Sequence, residues 1–205
     1  LVGESGSGKT TIGRLALRLI EPDAGQIVFA GTELRGLDAA GLRAMRRRMQ
    51  IVFQDPLAAL DPRETIGAAI AAPIRLHRLR AGPAVAARVA ELLEMVGLDP
   101  SVAARFPHAL SGGQRQRAVI ARALAVEPEL LVCDEPVAAL DVSVQAQILN
   151  LLQDLRARLG LAMIFISHDM GVVRCMARRV GILYAGRLVE SGPAADLIAQ
   201  PRHPY

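Results

Sequence analysis

A glycine-rich segment near the start of the chain has the residue types of a phosphate-binding loop. Residues 3–10 read Gly-Glu-Ser-Gly-Ser-Gly-Lys-Thr and fit the pattern G-x-x-x-x-G-K-[ST]. Glycines let several backbone N–H groups turn towards one anion, and a following helix adds the partial positive charge of its N-terminus. Lys9 is predicted to reach the β- and γ-phosphates of a nucleotide, and Thr10 to offer its hydroxyl to Mg²⁺. The candidate nucleotide-binding residues are Gly3, Ser5, Gly6, Ser7, Gly8, Lys9, Thr10 and Thr11.

Two adjacent carboxylates follow a strongly apolar segment in the second half of the chain. The apolar run predicts a buried strand over Glu129–Cys133, directly before Asp134 and Glu135. The carboxyl ends of parallel strands face the ligand crevice of an open α/β sheet. We therefore expect Asp134 to hold Mg²⁺ and Glu135 to orient or deprotonate an attacking water. The alternative is a pair of solvent-facing acids in a turn before Pro136. The presence of a phosphate loop in the same chain favours the functional interpretation over this alternative.

The composition is that of a globular chain. Of 205 residues, 52% are hydrophobic and 21% are charged, and the net charge is +4. Lys9 is the only lysine and all other basic residues are arginines, so position 9 is expected to need an ammonium group. Only 3% of the residues are aromatic, which argues against a nucleic-acid partner. No apolar run is long enough to span a membrane. Cys133 and Cys175 are expected to be small buried fillers.

Apolar runs alternate with helical patterns, which predicts an α/β fold with a largely parallel sheet. The predicted strands are Leu1–Val2, Gln26–Phe29, Gln50–Phe53, Ala162–Ile166, and a hairpin of Val180–Tyr184 with Arg187–Glu190. The predicted helices are Thr10–Ile20, Leu42–Arg48, and a long one that Asp141 caps and Gly160 ends. Strand signals vanish between about residues 55 and 126, where Pro73, Gly82-Pro83, Gly97 and Pro107 separate helical stretches. This segment is predicted to be a helical insertion.

A third motif precedes the acidic strand. Residues 110–117 read Leu-Ser-Gly-Gly-Gln-Arg-Gln-Arg, in which Ser111 can cap a helix that starts near Gln114. By itself the motif would favour an ordinary capped helix. Together with the phosphate loop and the acidic strand it resembles the signature of the ATP-binding subunits of ABC transporters, and the resemblance runs from Leu1 to Tyr205.

The resemblance implies roles for three further residues. Gln54, in Val-Phe-Gln-Asp-Pro, resembles the glutamine that binds Mg²⁺ and contacts the transmembrane partner in this family. Asp141, in Ala-Leu-Asp, resembles the segment that lies across the interface of two ATP-binding domains. His168, in Ile-Ser-His-Asp, resembles the histidine that contacts the γ-phosphate. The implied catalytic residues are thus Glu135, His168 and Gln54, and the implied metal ligands are Thr10, Gln54 and Asp134.

The resemblance also implies an architecture. The fold would be a P-loop NTPase (RecA-like) α/β core with an inserted α-helical subdomain. A single ATP-binding domain, 1–205, would comprise a core of 1–55 and 127–205 and a signature subdomain of 56–126. The signature residues would bind the ATP held by a second ABC ATPase subunit, in a homo- or heterodimer. These residues are Ser111, Gly112, Gly113 and Gln114.

Three segments are similar to a narrower branch, the oligopeptide/dipeptide importers, which also take up nickel and glutathione. They are residues 141–147, Phe106-Pro107-His108 and His203-Pro204-Tyr205. This similarity implies an ATPase on the cytoplasmic face of the membrane that energises import of peptides or similar solutes. Its partners would be transmembrane permease subunits and, indirectly, a periplasmic or extracellular solute-binding protein. We also expect the first strands, with their adenine-stacking aromatic residue, and a C-terminal extension to be missing from this sequence.

Other classes of protein share part of this pattern. A soluble ABC-type ATPase without a permease, such as the carbon–phosphorus lyase accessory ATPase, resembles the same branch. DNA-repair ABC ATPases are a weaker alternative, because they carry long insertions that this chain lacks. A plain P-loop kinase would need neither the signature motif nor His168.

Overall fold

The structure is a computed structural model that describes residues 1–204; Tyr205, and with it the end of the His-Pro-Tyr motif, lies outside the described residues. The strands are β1 Val2–Gly3, β2 Val28–Phe29, β3 Thr32–Glu33, β4 Met49–Val52, β5 Leu130–Asp134, β6 Ala162–Ile166, β7 Arg179–Tyr184 and β8 Arg187–Pro193. The helices are α1 Lys9–Ala16, α2 Ala39–Arg48, α3 Pro56–Ala59, α4 Ile66–Leu76, α5 Pro83–Met95, α6 Gly112–Leu124, α7 Val142–Leu159, α8 Met170–Met176 and α9 Ala194–Ala199. Two 3₁₀ turns, Pro100–Ala104 and Pro107–Ala109, lie between α5 and α6.

The chain divides into two compact units. The first contains Leu1–Arg46, Val132–Glu135 and Met163–Tyr205, and the second contains Arg47–Leu131 and Pro136–Ala162. The predicted subdomain, 56–126, falls within the second unit, and its exact boundaries stay a prediction. Among residues 1–204, no helix combines the length and the apolar character that crossing a bilayer requires.

The first unit brings the ends of several strands to one place. β1 pairs in parallel with β7, which pairs antiparallel with β8. Val2 also forms a parallel bridge with Ser167, directly after β6, and Glu135 N–H donates to the Ile166 carbonyl. The loop after β1, the acidic end of β5 (Asp134, followed by Glu135) and the residues after β6 therefore meet at neighbouring positions. The first unit also contains a buried apolar cluster: Val2, Val173, Val180, Ala194 and Leu197.

Two hairpins in the first unit use the same turn. Ala30-Gly31 joins β2 to β3, and Ala185-Gly186 joins β7 to β8. All four residues have positive φ, between 47° and 78°, which is the geometry of a type I′ turn. The hairpin predicted around Ala185-Gly186 is confirmed, although β8 continues to Pro193 rather than ending at Glu190.

Several predicted boundaries are wrong by a few residues. Helix α1 ends at Ala16 rather than Ile20, because Arg18 takes a left-handed conformation and its guanidinium donates to the carbonyls of Leu34 and Leu37. Helix α4 continues through Pro73, which was expected to end it. A proline lacks only its own N–H, so the helix loses one backbone hydrogen bond and continues to Leu76. Cys175 is exposed, unlike Cys133, so its prediction as a buried filler is wrong.

Apolar stripes on helices form the core of the second unit. Ile66, Ile70 and Ile74 recur every four residues along α4 and are fully buried. Helix α7 likewise buries one side, with Ile148, Leu152 and Leu155 buried. Further fully buried side chains of this unit come from α5, α6 and β5: Leu92, Leu93, Ile120, Leu124 and Leu131. The predicted ends of α7 are confirmed, since Asp141 caps it and Gly160 closes it in the left-handed conformation.

Replacing Gly3 with alanine is expected to destabilise the protein by about 1–3 kcal/mol, the usual cost of forcing atoms into a packed site. A Cβ at Gly3 would lie 2.3 Å from the Leu183 carbonyl oxygen, and backbone cannot move aside as a flexible side chain can. Gly36→Ala is the matched control, because a Cβ there meets nothing within 4 Å. Denaturant unfolding of the two variants checks this, and equal midpoints would contradict it.

Candidate nucleotide-binding site

The loop between β1 and α1 has the backbone of an anion-binding turn. Gly6 and Gly8 have φ of 80° and 99°, a region that favours glycine. Gly8 stands at the N-cap of α1 without a side-chain cap, whereas Ser111 and Asp141 cap α6 and α7. The first-turn N–H groups of α1 are thus left available to an anion.

Lys9 is the first residue of α1, its side chain reaches back into this loop, and it is only 4% exposed. Its Nζ donates to the carbonyl oxygens of Gly3 and Glu4, at 2.8 Å in each case, and lies 3.8 Å from Glu135 Oε1. Within the described residues, the buried Ser7 Oγ has no hydrogen-bond partner. A phosphate oxygen would supply the acceptor that this hydroxyl lacks. The loop residues therefore fit the phosphates of a nucleotide.

Thr10 and Asp134 form the part of the site that suits a hard metal ion. Thr10 Oγ1 donates to Asp134 Oδ1 at 3.0 Å, and Asp134 is 3% exposed. Burial raises the pKa of the Asp134 carboxyl, and the hydrogen bond from Thr10 opposes that rise. Among residues 1–204, no three His, Cys, Asp or Glu side chains cluster as a metal site. This donor set fits Mg²⁺, which commonly takes one or two protein oxygens and completes its shell with phosphate and water.

Asp134→Asn is expected to raise the melting temperature in Mg²⁺-free buffer. The raised pKa means that the folded protein holds a proton on Asp134 more tightly than the unfolded chain does. Ionised Asp134 therefore lowers the free energy of unfolding at neutral pH. Each kcal/mol of unfolding free energy that the variant regains would raise its melting temperature by about 2–4 °C in a chain of this size.

Calorimetry of this variant beside Asp23→Asn, a change at an exposed acid, checks the prediction. The Asp134→Asn protein should also lose the additional stabilisation that Mg²⁺ gives in the presence of ATP. A lower melting temperature without Mg²⁺ would contradict the burial argument.

Glu135 lies between the phosphate loop and His168. Its Oε2 is 3.2 Å from His168 Nδ1, while its Oε1 faces Lys9. The backbone of Glu135 has φ of 46°, a conformation that costs about 1–3 kcal/mol outside glycine and concentrates at functional sites. The His168 side chain is 61% exposed, so it can reach a ligand. The structure thus brings together Lys9, Glu135 and His168, which lie far apart in the sequence.

Sequence reasoning missed one support of the loop. Gly186, in the turn between β7 and β8, donates its N–H to the Ser7 carbonyl at 3.2 Å. The hairpin was predicted from its Ala-Gly turn, but nothing in that pattern indicates that the turn contacts the loop after β1. The parallel pairing of β1 with β7 produces this contact.

The other predicted site residues lie in the second unit. Ser111 Oγ accepts from Gln114 N–H, and Gln114 Oε1 accepts from Ser111 N–H, so the two close a capping box. This cap confirms the predicted role of Ser111, although α6 begins at Gly112 rather than near Gln114.

Asp141 and Gln54 belong to the same unit. Asp141 Oδ1 accepts from Ser143 Oγ at 2.7 Å and from Val144 N–H at 3.0 Å, and these bonds lower the pKa of its carboxyl. Gln54 is exposed between β4 and α3. The nucleotide and metal contacts expected of Ser111, Gly112, Gly113, Gln114, Asp141 and Gln54 stay predictions.

The chain is similar to curated proteins over its whole length. Over its whole length the chain is 54% identical to "Glutathione import ATP-binding protein GsiA" of Salmonella paratyphi A and of Escherichia coli K12. The chain spans about a third of the length of these curated relatives, 33%.

Solved structures of ATP-binding cassettes have the same fold. A dimeric post-hydrolysis state of the ATP-binding cassette MJ0796, bound to ADP and Pi, has a TM-score of 0.82 and 31% identity over 94% of this chain and 83% of that one. CbiO1 from Clostridium perfringens, part of the ABC transporter complex CbiONQ, has a TM-score of 0.85 and 27% identity over 97% of this chain and 78% of that one. The fold is therefore the predicted P-loop NTPase α/β fold. Because the profile described as ABC transporter also matches residues 1–138, the chain belongs to the ABC transporter family.

Proposed function

We propose that this chain hydrolyses ATP and thereby energises import of peptides or similar small solutes through an ABC permease. The observation that carries the proposal is the convergence of Lys9, Glu135 and His168 beside the Thr10–Asp134 pair. This arrangement offers a cation for phosphate, a carboxylate for water and a polar side chain for the terminal phosphate in one place.

Each of these residues has a distinct task in hydrolysis. Lys9 exchanges its two carbonyl acceptors for the β- and γ-phosphate oxygens of ATP. Glu135 Oε2 accepts a hydrogen bond from the attacking water, and His168 donates to the γ-phosphate. Thr10 and Asp134 would hold Mg²⁺, which neutralises charge on the phosphates when bound. The contacts of Glu135 with Lys9 and His168 hold its carboxylate between the phosphate loop and the γ-phosphate donor.

The signature residues serve a second nucleotide in this proposal. Ser111, Gly112 and Gly113 begin α6, and a helix N-terminus attracts a γ-phosphate. ATP held by one copy would thus meet α6 of another ABC subunit, and hydrolysis would remove that contact. The dimeric state of the structural relative bound to ADP and Pi supports a two-subunit arrangement. Differential affinity for the ATP and ADP states shifts the equilibrium between closed and open dimers.

The transport step is inferred from relatives. The curated relatives are named for glutathione import, which supports a peptide-like solute. The proposed partners are permease subunits in the membrane and, through them, an external solute-binding protein. The chain would then work on the cytoplasmic face of the membrane, as a peripheral subunit.

Purification of the protein at its natural length in mild detergent, with mass spectrometry of its partners, tests the transport proposal. We expect a multi-span integral membrane protein and, where the dimer is mixed, a second ABC ATPase. Recovery of soluble partners alone would overturn the transport role and favour the accessory-ATPase alternative. A control purification without detergent should lose the membrane partner.

A further inference from the structure

The N-termini of α6 and α7 pack against each other through the glycine pair of the signature. A Cβ built on Gly113 would lie 2.5 Å from Val144 Cγ1, and one on Gly112 would lie 3.3 Å from Leu140 Cδ2. Carbon atoms in contact normally stay about 3.5–4.0 Å apart. Val144 therefore already occupies the space that a side chain at position 113 would need.

Val144 has little freedom to move out of that space. It is a half-buried, β-branched residue in the first turn of α7, where its χ1 is largely fixed. Its backbone N–H is also held by Asp141 Oδ1 at 3.0 Å. A side chain at Gly113 would thus push α6 and α7 apart rather than displace a flexible group.

A second contact lies further along the same two helices. Arg117 of α6 donates through Nη2 to Gln147 Oε1 of α7 at 3.4 Å, and through Nη1 to the Val96 carbonyl at 2.6 Å. The two helices are therefore joined at two levels along their length. If the N-terminus of α6 moved without that of α7, the packing at Gly113 and the hydrogen bond from Arg117 to Gln147 would both break.

We propose that Gly113 is a positioning residue that locks the start of α6 to the start of α7 through Val144. Ser111 and Asp141, the N-caps of the two helices, then reach the nucleotide of the partner copy as one rigid piece. This inference rests on the proposed function and deepens it. In this inference packing within the subunit requires a glycine at position 113, and the two contacts across the dimer form and break together.

A mutant cycle tests the packing itself. Alanine is a better helix former than glycine, so without the close contact Gly113→Ala would stabilise the protein. We expect a lower melting temperature instead, and recovery of most of that loss in Gly113→Ala/Val144→Ala. The matched control, Gly113→Ala/Val142→Ala, should show no recovery, since Val142 is 82% exposed on the same helix. A Gly113→Ala protein as stable as the wild type would overturn the inference.

ATP hydrolysis and ATP-dependent association of the same variants test the positioning role. We expect Gly113→Ala to lower kcat about tenfold or more, which is 1.4 kcal/mol or more in the barrier, while the KM for ATP stays unchanged. The Val144→Ala second change should restore most of kcat, whereas a double variant as slow as Gly113→Ala would overturn the inference. A wild-type protein whose subunits never associate in the presence of ATP would instead overturn the proposed function. The melting temperatures would still show whether position 113 packs against Val144.

Discussion

Glu135→Gln is expected to lower the rate of ATP hydrolysis by about 10²–10⁴-fold, the usual contribution of a positioned general base. Glutamine keeps the size of the side chain but cannot accept a proton from water. The variant also loses a negative charge beside Lys9, which lies 3.8 Å from Glu135 Oε1. Its affinity for ATP should therefore be unchanged or higher, and the closed ATP dimer should accumulate. Steady-state release of phosphate, together with equilibrium binding of ATP, checks both parts.

The matched control for this change is Glu64→Gln, an exposed glutamate in the second unit. It should hydrolyse ATP at the wild-type rate, which would show that loss of a carboxylate alone has no effect. Ordinary turnover in Glu135→Gln would refute the assignment of Glu135 as the base. Loss of ATP binding in that variant would contradict it in a different way, because the residue would then hold the nucleotide rather than the water.

Lys9→Ala is expected to weaken ATP binding about 10- to 100-fold and to abolish hydrolysis, since a charge-assisted hydrogen bond contributes about 1.5–3 kcal/mol. The loss should exceed that of any other single basic residue, because Nζ is buried and already directed at the turn of the phosphate loop. Titration of a fluorescent ATP analogue measures the affinity. Unchanged affinity and activity would rule out the phosphate-binding role.

Lys9→Arg tests whether position 9 needs an ammonium group, because this change retains the positive charge. The Nζ site between the carbonyls of Gly3 and Glu4 suits a compact ammonium, and a planar guanidinium is larger and needs a different set of acceptors. This variant should also bind ATP poorly. The converse change at an exposed position, Arg43→Lys, should leave binding intact. An active Lys9→Arg protein would show that charge alone is sufficient at position 9.

The parts of the site that could be predicted are those that a short stretch of sequence encodes. The phosphate loop and the pair Asp134-Glu135 each have their functional groups within a few adjacent residues. The helix caps Ser111 and Asp141 are likewise recognisable from local sequence. His168 is different, because a lone histidine at a strand end indicates little by itself. It was identified only through resemblance to the ABC family. Its contact with Glu135 depends on β5 and β6 being neighbours in one sheet.

The features that could not be predicted depend on how separate elements pack. The contact between Gly186 and Ser7 follows from the pairing of β1 with β7. The early end of α1 follows from the hydrogen bonds that Arg18 makes with a distant turn. The close approach of Val144 to Gly113 depends on the register of two helices, which their separate sequence patterns do not specify.

The most direct test of the account is the mass of the Glu135→Gln protein in solution, measured by sedimentation velocity with Mg²⁺-ATP, with Mg²⁺-ADP and without nucleotide. The account predicts that ATP joins two ABC subunits, that ADP does not, and that adding Lys9→Ala abolishes the association. A mass that is the same in all three conditions would contradict the claim that ATP binding and hydrolysis drive closure and reopening of a dimer.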